Sequence, residues 1–154
     1  MAADSLYSVS LKKASSACAG REYCRSDIQQ KLDSWGLTEK DSEKIISYLV
    51  KEKFIDEERY STAFVKDKFR YNKWGRVKIA AALRLKKIPE AIISSSLHSI
   101  DDEEYIEILK NLIASHRKTV RARNQYDLKG KLLRYGLSKG FENHLLYDLL
   151  NELE

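Results

Sequence analysis

A chain of 154 residues that is 43% hydrophobic and 33% charged has enough apolar material to bury a core without disulfide or metal staples. One proline, Pro89, and six glycines predict long ordered segments with few interruptions, so an all-α fold is expected. The formal charge of +5 and sequence pI near 9.1 point toward an acidic partner such as nucleic acid without establishing one. The start, MAADSLYSVSLKKASS, carries no apolar run resembling a signal sequence, and no later stretch has the length of a membrane span. A soluble cytoplasmic protein with no membrane partner is expected.

The first predicted helix carries the stripe Tyr7, Leu11, Ala14 and Cys18, at i, i+4, i+7 and i+11. Six helical residues would hold Cys18 and Cys24 about 9 Å apart, too far for a disulfide, so a reducing compartment is expected. Ile28, Leu32 and Leu37 then mark a second helix, closed at Trp35-Gly36 by a left-handed glycine. Thr38, with Asp41 three residues on, opens a third, whose stripe is Ile45, Ile46 and Leu49.

The pattern then recurs. Asp56 caps a helix from about 57 to 71, with Ile55 and Tyr60 placed as a hydrophobic staple and Tyr60, Ala63 and Phe64 on one face. Ile79, Leu83 and Ile88 repeat the i, i+4, i+9 spacing, but Lys87 stands where the first copy has glycine. A non-glycine in the left-handed conformation costs about 1 kcal/mol, so this site is strained or the helix ends differently. Pro89 opens the next helix, striped by Ile92, Ile93 and Leu97.

In a third copy, Asp101 or Asp102 opens a helix with Tyr105, Ile108, Leu109, Leu112 and Ile113 on one side. Leu128, Leu132 and Leu137 supply the repeated spacing, with Tyr135-Gly136 as the helix end and Ser138 as the next start, before Leu145, Leu146, Leu149 and Leu150. With a period of about 50 residues, the expectation is three tandem three-helix, helix-turn-helix-like repeats in an elongated, curved arrangement, at 1–53, 54–100 and 101–154. One compact helical bundle is the alternative.

Catalytic chemistry finds little support. His98, His116 and His144 are isolated, and neither cysteine has a ligand partner at zinc-site spacing. No glycine-rich phosphate loop is present. No enzyme activity, cofactor, metal or small-molecule substrate is expected. Asp101 to Glu104 read as a helix start favoured by the dipole.

The basic residues differ. Lys66, Lys68, Arg70, Lys73, Arg76, Lys78, Arg84, Lys86 and Lys87 run through one turn and along the next helix, with Phe69, Tyr71 and Trp74 among them. Arg117, Lys118, Arg121, Arg123, Lys129, Lys131 and Arg134 occupy the corresponding part of the third copy. From these, Lys66, Lys68, Arg70, Lys73, Arg76, Lys78, Arg84, Lys129 and Lys131 are the candidate partner- or DNA-binding residues; ordinary solvated surface is the competing reading. A groove-reading helix-turn-helix is disfavoured, because the last helix of the second copy, PEAIISSSLHS, has no cation and that of the third is net acidic. Phosphate or acidic-protein contact is better supported.

Three segments carry a family resemblance. FIDEERYSTAFVKDKFR at Phe54–Arg70 resembles the signature of the RecX family, the bacterial regulators of the RecA recombinase. REYCRSDIQQKLDSWGL at Arg21–Leu37 and WGRVKIAAALRLKKI at Trp74–Ile88 resemble that family's first and second copies. The resemblance covers about residues 10 to 100 well and the third copy more weakly. Lys87 departs from a usual glycine, and Ser61 from a common alanine. The resemblance implies a monomer that binds the RecA nucleoprotein filament on single-stranded DNA and mostly inhibits its ATPase, strand-exchange and coprotease activities. DNA would be touched through phosphates, weakly by the chain alone. A stand-alone nucleic-acid-binding protein and a helical adaptor for another partner remain the alternatives.

Overall fold

The computed structural model describes residues 5–152 and, among them, nine α-helices and no strand. In chain order these are α1 (Leu6–Gly20), α2 (Arg25–Ser34), α3 (Glu39–Lys51), α4 (Glu57–Arg70), α5 (Arg76–Leu85), α6 (Glu90–Leu97), α7 (Asp102–Thr119), α8 (Gln125–Ser138) and α9 (Asn143–Asn151). Helix starts follow local chemistry. Ser5, Thr38, Asp56, Asp101 and Asn124 each accept a hydrogen bond from a backbone N–H three residues on, supplying a partner that the first helical turn lacks.

The apolar stripes close two cores. Ala14 and Cys18 of α1, Ile28 and Leu32 of α2, and Ile45 and Leu49 of α3 form the first, with Ile55 completing it. The second runs without interruption from α4 to α9 and takes in Cys24 from the first triplet. Ile55 and Tyr60 therefore belong to different cores, so the expected staple between them does not form. The second and third triplets are joined by aromatic packing: Tyr105 lies between Phe69, at 5.7 Å between ring centroids, and Phe141, at 5.1 Å. The exposed surface of 9828 Å² exceeds the roughly 8,000 Å² of a compact globular protein of this mass, as a chain of stacked triplets should.

Helix ends separate the expectations that hold from those that do not. Gly36 closes α2 at φ 84°, and Lys87 takes the same left-handed conformation after α5 at φ 61°. Ile88 N–H donates to the Leu83 carbonyl just as Leu37 does to Leu32, so the second copy keeps the glycine-type ending without the glycine. The third copy is shifted by four residues. α8 runs through Gly136 to Ser138, and the left-handed glycine is Gly140, at φ 94°. Phe141 N–H donates to the Gly136 carbonyl. The structural counterparts of Ile28, Leu32 and Leu37 are thus Leu132, Gly136 and Phe141, while Leu137 is 39% exposed. Ser138 starts no helix; Glu142 precedes α9. Gly136 is small for a reason, since a Cβ there would lie 2.3 Å from Leu146 Cδ2.

Cys18 and Cys24 are buried free thiols. Ser61 is fully buried and its hydroxyl finds no protein partner, an environment that suits alanine equally. No described helix is long and apolar enough to cross a membrane.

Candidate nucleic-acid interface

The turn Tyr71–Gly75 between α4 and α5 is held against the turn that follows α8. Gly75 N–H donates to the Lys139 carbonyl at 2.7 Å and Val77 N–H to the Gly140 carbonyl at 2.9 Å. The first N–H groups of α5, which have no partner within their helix, are thereby satisfied by the third triplet. Lys73, at φ 57°, permits the chain reversal into Trp74.

This docking gathers cations that are far apart in sequence. Lys68 Nζ lies 4.9 Å and Lys78 Nζ 4.6 Å from the centre of the half-buried Trp74 ring, the separations of cation–π contact. Lys139 enters from the third triplet, its ammonium donating to the Asn72 carbonyl at 2.9 Å. Burial, and then the neighbouring Lys78 charge, push the Lys139 ammonium below the usual lysine range. No ion pair among the described residues involves Lys68, Lys78 or Lys139, and Lys66, Arg70 and Lys73 have none either. The result is a cluster of ammonium groups beside an indole, Lys68 held over aromatic rings and Lys78 and Lys139 also donating to backbone carbonyls. An anion placed there would relieve their mutual repulsion.

Arg76 stands apart. Its backbone N–H donates to Tyr105 Oη at 2.9 Å, its guanidinium lies 3.8 Å from the centre of the Tyr105 ring, and its nitrogens reach Asp102 at 2.6 Å and Glu142 at 3.2 Å. Tyr105 donates its hydroxyl to Glu142. The Arg76 side chain is only 23% exposed, so it cements the second triplet to the third and offers no free charge to a ligand. Unlike Lys68 and Lys78, this candidate contact has its charge already met within the protein.

Two further candidates are engaged locally. Arg84 is paired with Glu90 of α6. Lys131 donates to the Arg121 carbonyl and sits 3.3 Å from Asp127. Lys129 lines a separate shallow groove between α8 and α9 with Tyr126 and Tyr147. The structure therefore brings together Lys68 and Lys78 of the expected set and adds Lys139, which sequence reasoning missed. Lys78 and Lys139 are 61 positions apart in the chain, and only the Gly75–Gly140 contact makes them neighbours.

Among the described residues no group of acidic, histidine and cysteine side chains is arranged to hold a metal ion.

The profile described as "RecX, second three-helix domain" matches residues 56–97. The chain is similar to the regulatory protein RecX of Clostridium acetobutylicum, at 31% identity over 82% of this chain and 60% of that protein. It is 32% identical to the RecX of Clostridium botulinum strain Eklund 17B, over 81% of this chain and 59% of that protein. The chain thus spans about 60% of the length of these curated relatives. A crystal structure of a regulatory protein RecX superposes with a TM-score of 0.86 over 96% of this chain and 73% of that one, at 22% identity. A second, of RecX from Lactobacillus salivarius, gives 0.83 over 96% of both chains at 21% identity. These two show a common fold.

Proposed function

The chain belongs to the RecX family, and from that premise we propose that it is a regulator of the RecA filament on single-stranded DNA, mostly inhibiting ATPase, strand exchange and coprotease activity. The observation that carries the DNA half of this reading is the cluster of Lys68 and Lys78 over Trp74 with Lys139 beside Lys78, none of which forms an ion pair among the described residues. Phosphates of the strand inside the filament are its natural counter-ions. Lys66, Arg70 and Lys73 flank the same turn and extend the contact. The relatives are named as regulatory proteins, and action by binding suits a surface built of charge and shape. Three stacked triplets let weak contacts with several protomers sum through effective concentration.

The test is a RecA ATPase assay on single-stranded DNA with the protein titrated in. A rate that falls with added protein is expected. An unchanged rate at saturating protein, together with tight binding to naked DNA, would leave a stand-alone nucleic-acid-binding protein instead.

A further inference from the structure

A groove of about 860 Å³ separates the first triplet from the second. Its apolar floor is Tyr23, Ala63 and Phe64, with the Phe64 ring stacked on the buried Tyr60 at 6.0 Å. Its rim is basic. Arg21 and Lys31 lie 4.8 and 5.0 Å from the centre of the Tyr23 ring, and Lys68 lies 5.5 Å from that of Phe64. The groove also contains carboxylates, but two of its three are already paired: Glu22 with Arg59 at 2.6 Å and Asp27 with Lys86, itself in the groove wall, at 2.6 Å. Against Arg21, Lys31 and Lys68 there remains Asp67, so the groove carries an excess of positive charge above an apolar floor.

We infer that this groove is a protein-binding site for an extended acidic peptide carrying a large apolar side chain. Charge complementarity selects acidic residues for the rim. The floor selects against a ligand that is charge alone, because a polyanion gains nothing from covering Ala63 and Phe64. Bases of a single strand could use aromatic rings, but a stacking base needs an open ring face, and Tyr23 and Phe64 have cations over theirs. An apolar side chain needs no such face; it requires only an apolar depression whose rim cations meet the flanking carboxylates, and that is what the groove offers.

The inference rests on the filament reading only for the identity of the protein that supplies the peptide. It divides the labour of the surface: the Trp74 cluster meets phosphate, the groove meets protein, and Lys68 stands between them. The experiment uses the full chain without RecA, so that its failure leaves the filament reading untouched. Fluorescence anisotropy would be followed for three labelled probes of about equal length and charge: a peptide alternating glutamate with leucine, one alternating glutamate with serine, and an oligo(dT). The glutamate–leucine peptide should bind saturably and more tightly than the glutamate–serine one. The Arg21→Gln, Lys31→Gln double variant should weaken it about tenfold and change oligo(dT) binding less than about twofold. The Lys78→Gln, Lys139→Gln variant should do the reverse. Helix content and melting of both variants would be checked by circular dichroism, with single variants used if a double variant melts early. Equal binding of the two peptides, no saturable peptide binding, or a groove variant that loses oligo(dT) and keeps the peptide would each overturn the proposal, the last by making the groove a nucleic-acid site.

Discussion

Gly75 and Gly140 bring two backbones into direct contact: a Cβ built on Gly75 would lie 2.3 Å from the Gly140 carbonyl oxygen, and one on Gly140 would lie 2.2 Å from Lys78 Cβ. The two hydrogen bonds at this crossing, from Gly75 and Val77, join the start of α5 to the end of α8. The cluster around Trp74 exists because these two glycines permit the approach.

Gly75→Ala isolates that contact, because Gly75 has φ −78°, which alanine adopts freely. The cost is then steric, and it falls on backbone atoms that cannot swing aside. A loss of about 1–3 kcal/mol is expected, as for overpacking, which at about 2–4 °C per kcal/mol is a measurable drop in the calorimetric midpoint. Gly140→Ala should cost more, since it adds backbone strain at φ 94° to the clash with Lys78. An unchanged midpoint for Gly75→Ala would mean that the two backbones do not meet in solution.

Arg76→Glu and Arg70→Glu should behave differently although both reverse a charge beside the same turn. Arg76 is held between Asp102 and Glu142, and a carboxylate in its place would face two others. Asp102 is exposed but Arg76 and Glu142 are mostly buried, so breaking this network should cost about 1.5–3 kcal/mol. Arg70 is exposed and has no ion pair among the described residues, so its reversal should cost under about 0.5 kcal/mol. Urea unfolding of the two single variants separates them. Equal stabilities would return Arg76 to the set of free surface cations.

The junction of the first and second triplets should carry a pH signature through Asp27. Burial raises the Asp27 carboxyl, but hydrogen bonds from Lys86 and from the Cys24 backbone outweigh it and hold it below the ordinary carboxylate range. A carboxyl lowered in the folded state contributes stability above its unfolded pKa of about 3.9 and loses it as pH falls through the folded value. Glu57, raised by burial, acts in the opposite sense: its contribution is present at low pH and fades as pH rises through its folded value. Asp27→Asn should therefore be less stable than the parent at neutral pH, with the gap closing as pH falls below the carboxylate range. Urea midpoints of both proteins from neutral pH downward would show this; a gap independent of pH would assign the loss to packing.

Lys87 offers the reverse experiment, a gain. Its left-handed conformation at φ 61° is one that glycine adopts without the Cβ penalty. Lys87→Gly should stabilise the chain by up to about 1 kcal/mol, less what glycine adds to the freedom of the unfolded chain. A lowered melting midpoint would mean that the added freedom of the unfolded chain, or a lost contact of the Lys87 side chain, outweighs the relief.

Lys87 also shows how much of the fold was legible. The i, i+4, i+9 spacing located α2 and α5 and flagged Lys87 as strained, because apolar period and chain reversal are local properties. The same spacing failed in the third triplet, where Leu128-Leu132-Leu137 and Leu132-Gly136-Phe141 both satisfy it if glycine is allowed at the middle position. Gly136 resembles a helix stop, but it is a buried interior position made small by Leu146, a contact that no local pattern reveals. For the candidate site the limit was pairing. Sequence counts cations, whereas Asp102 and Glu142 decide that Arg76 is neutralised and the Gly75–Gly140 crossing decides that Lys139 joins Lys78. Phe64, expected on one face with Tyr60 and Ala63, is half-buried: it packs against the core and also lines the groove, while Val65 and Phe69 fill the core beside it.

Removing charge at the Trp74 cluster tests the DNA contact most directly. Lys78→Gln with Lys139→Gln removes both charges and keeps a polar donor, on a side chain one bond shorter, near the Ser138 and Asn72 carbonyls that accept from these lysines in the parent. The docking of α5 on the third triplet should persist, because the backbone hydrogen bonds from Gly75 and Val77 carry it. If both ammonium groups face phosphates, binding of the free chain to single-stranded DNA should weaken at low salt and lose salt dependence. With a slope of about −0.7 per phosphate neutralised, the plot of log K against log salt should become shallower by about 1.4. Lys131→Gln is the matched control: its ammonium is already held by Asp127 and the Arg121 carbonyl, so it should leave the slope near that of the parent. A double variant that folds normally and keeps the parent slope would place the DNA elsewhere and reduce the cluster to a structural device for holding Trp74. A Lys131 variant that alone flattens the slope would move the contact to the third triplet.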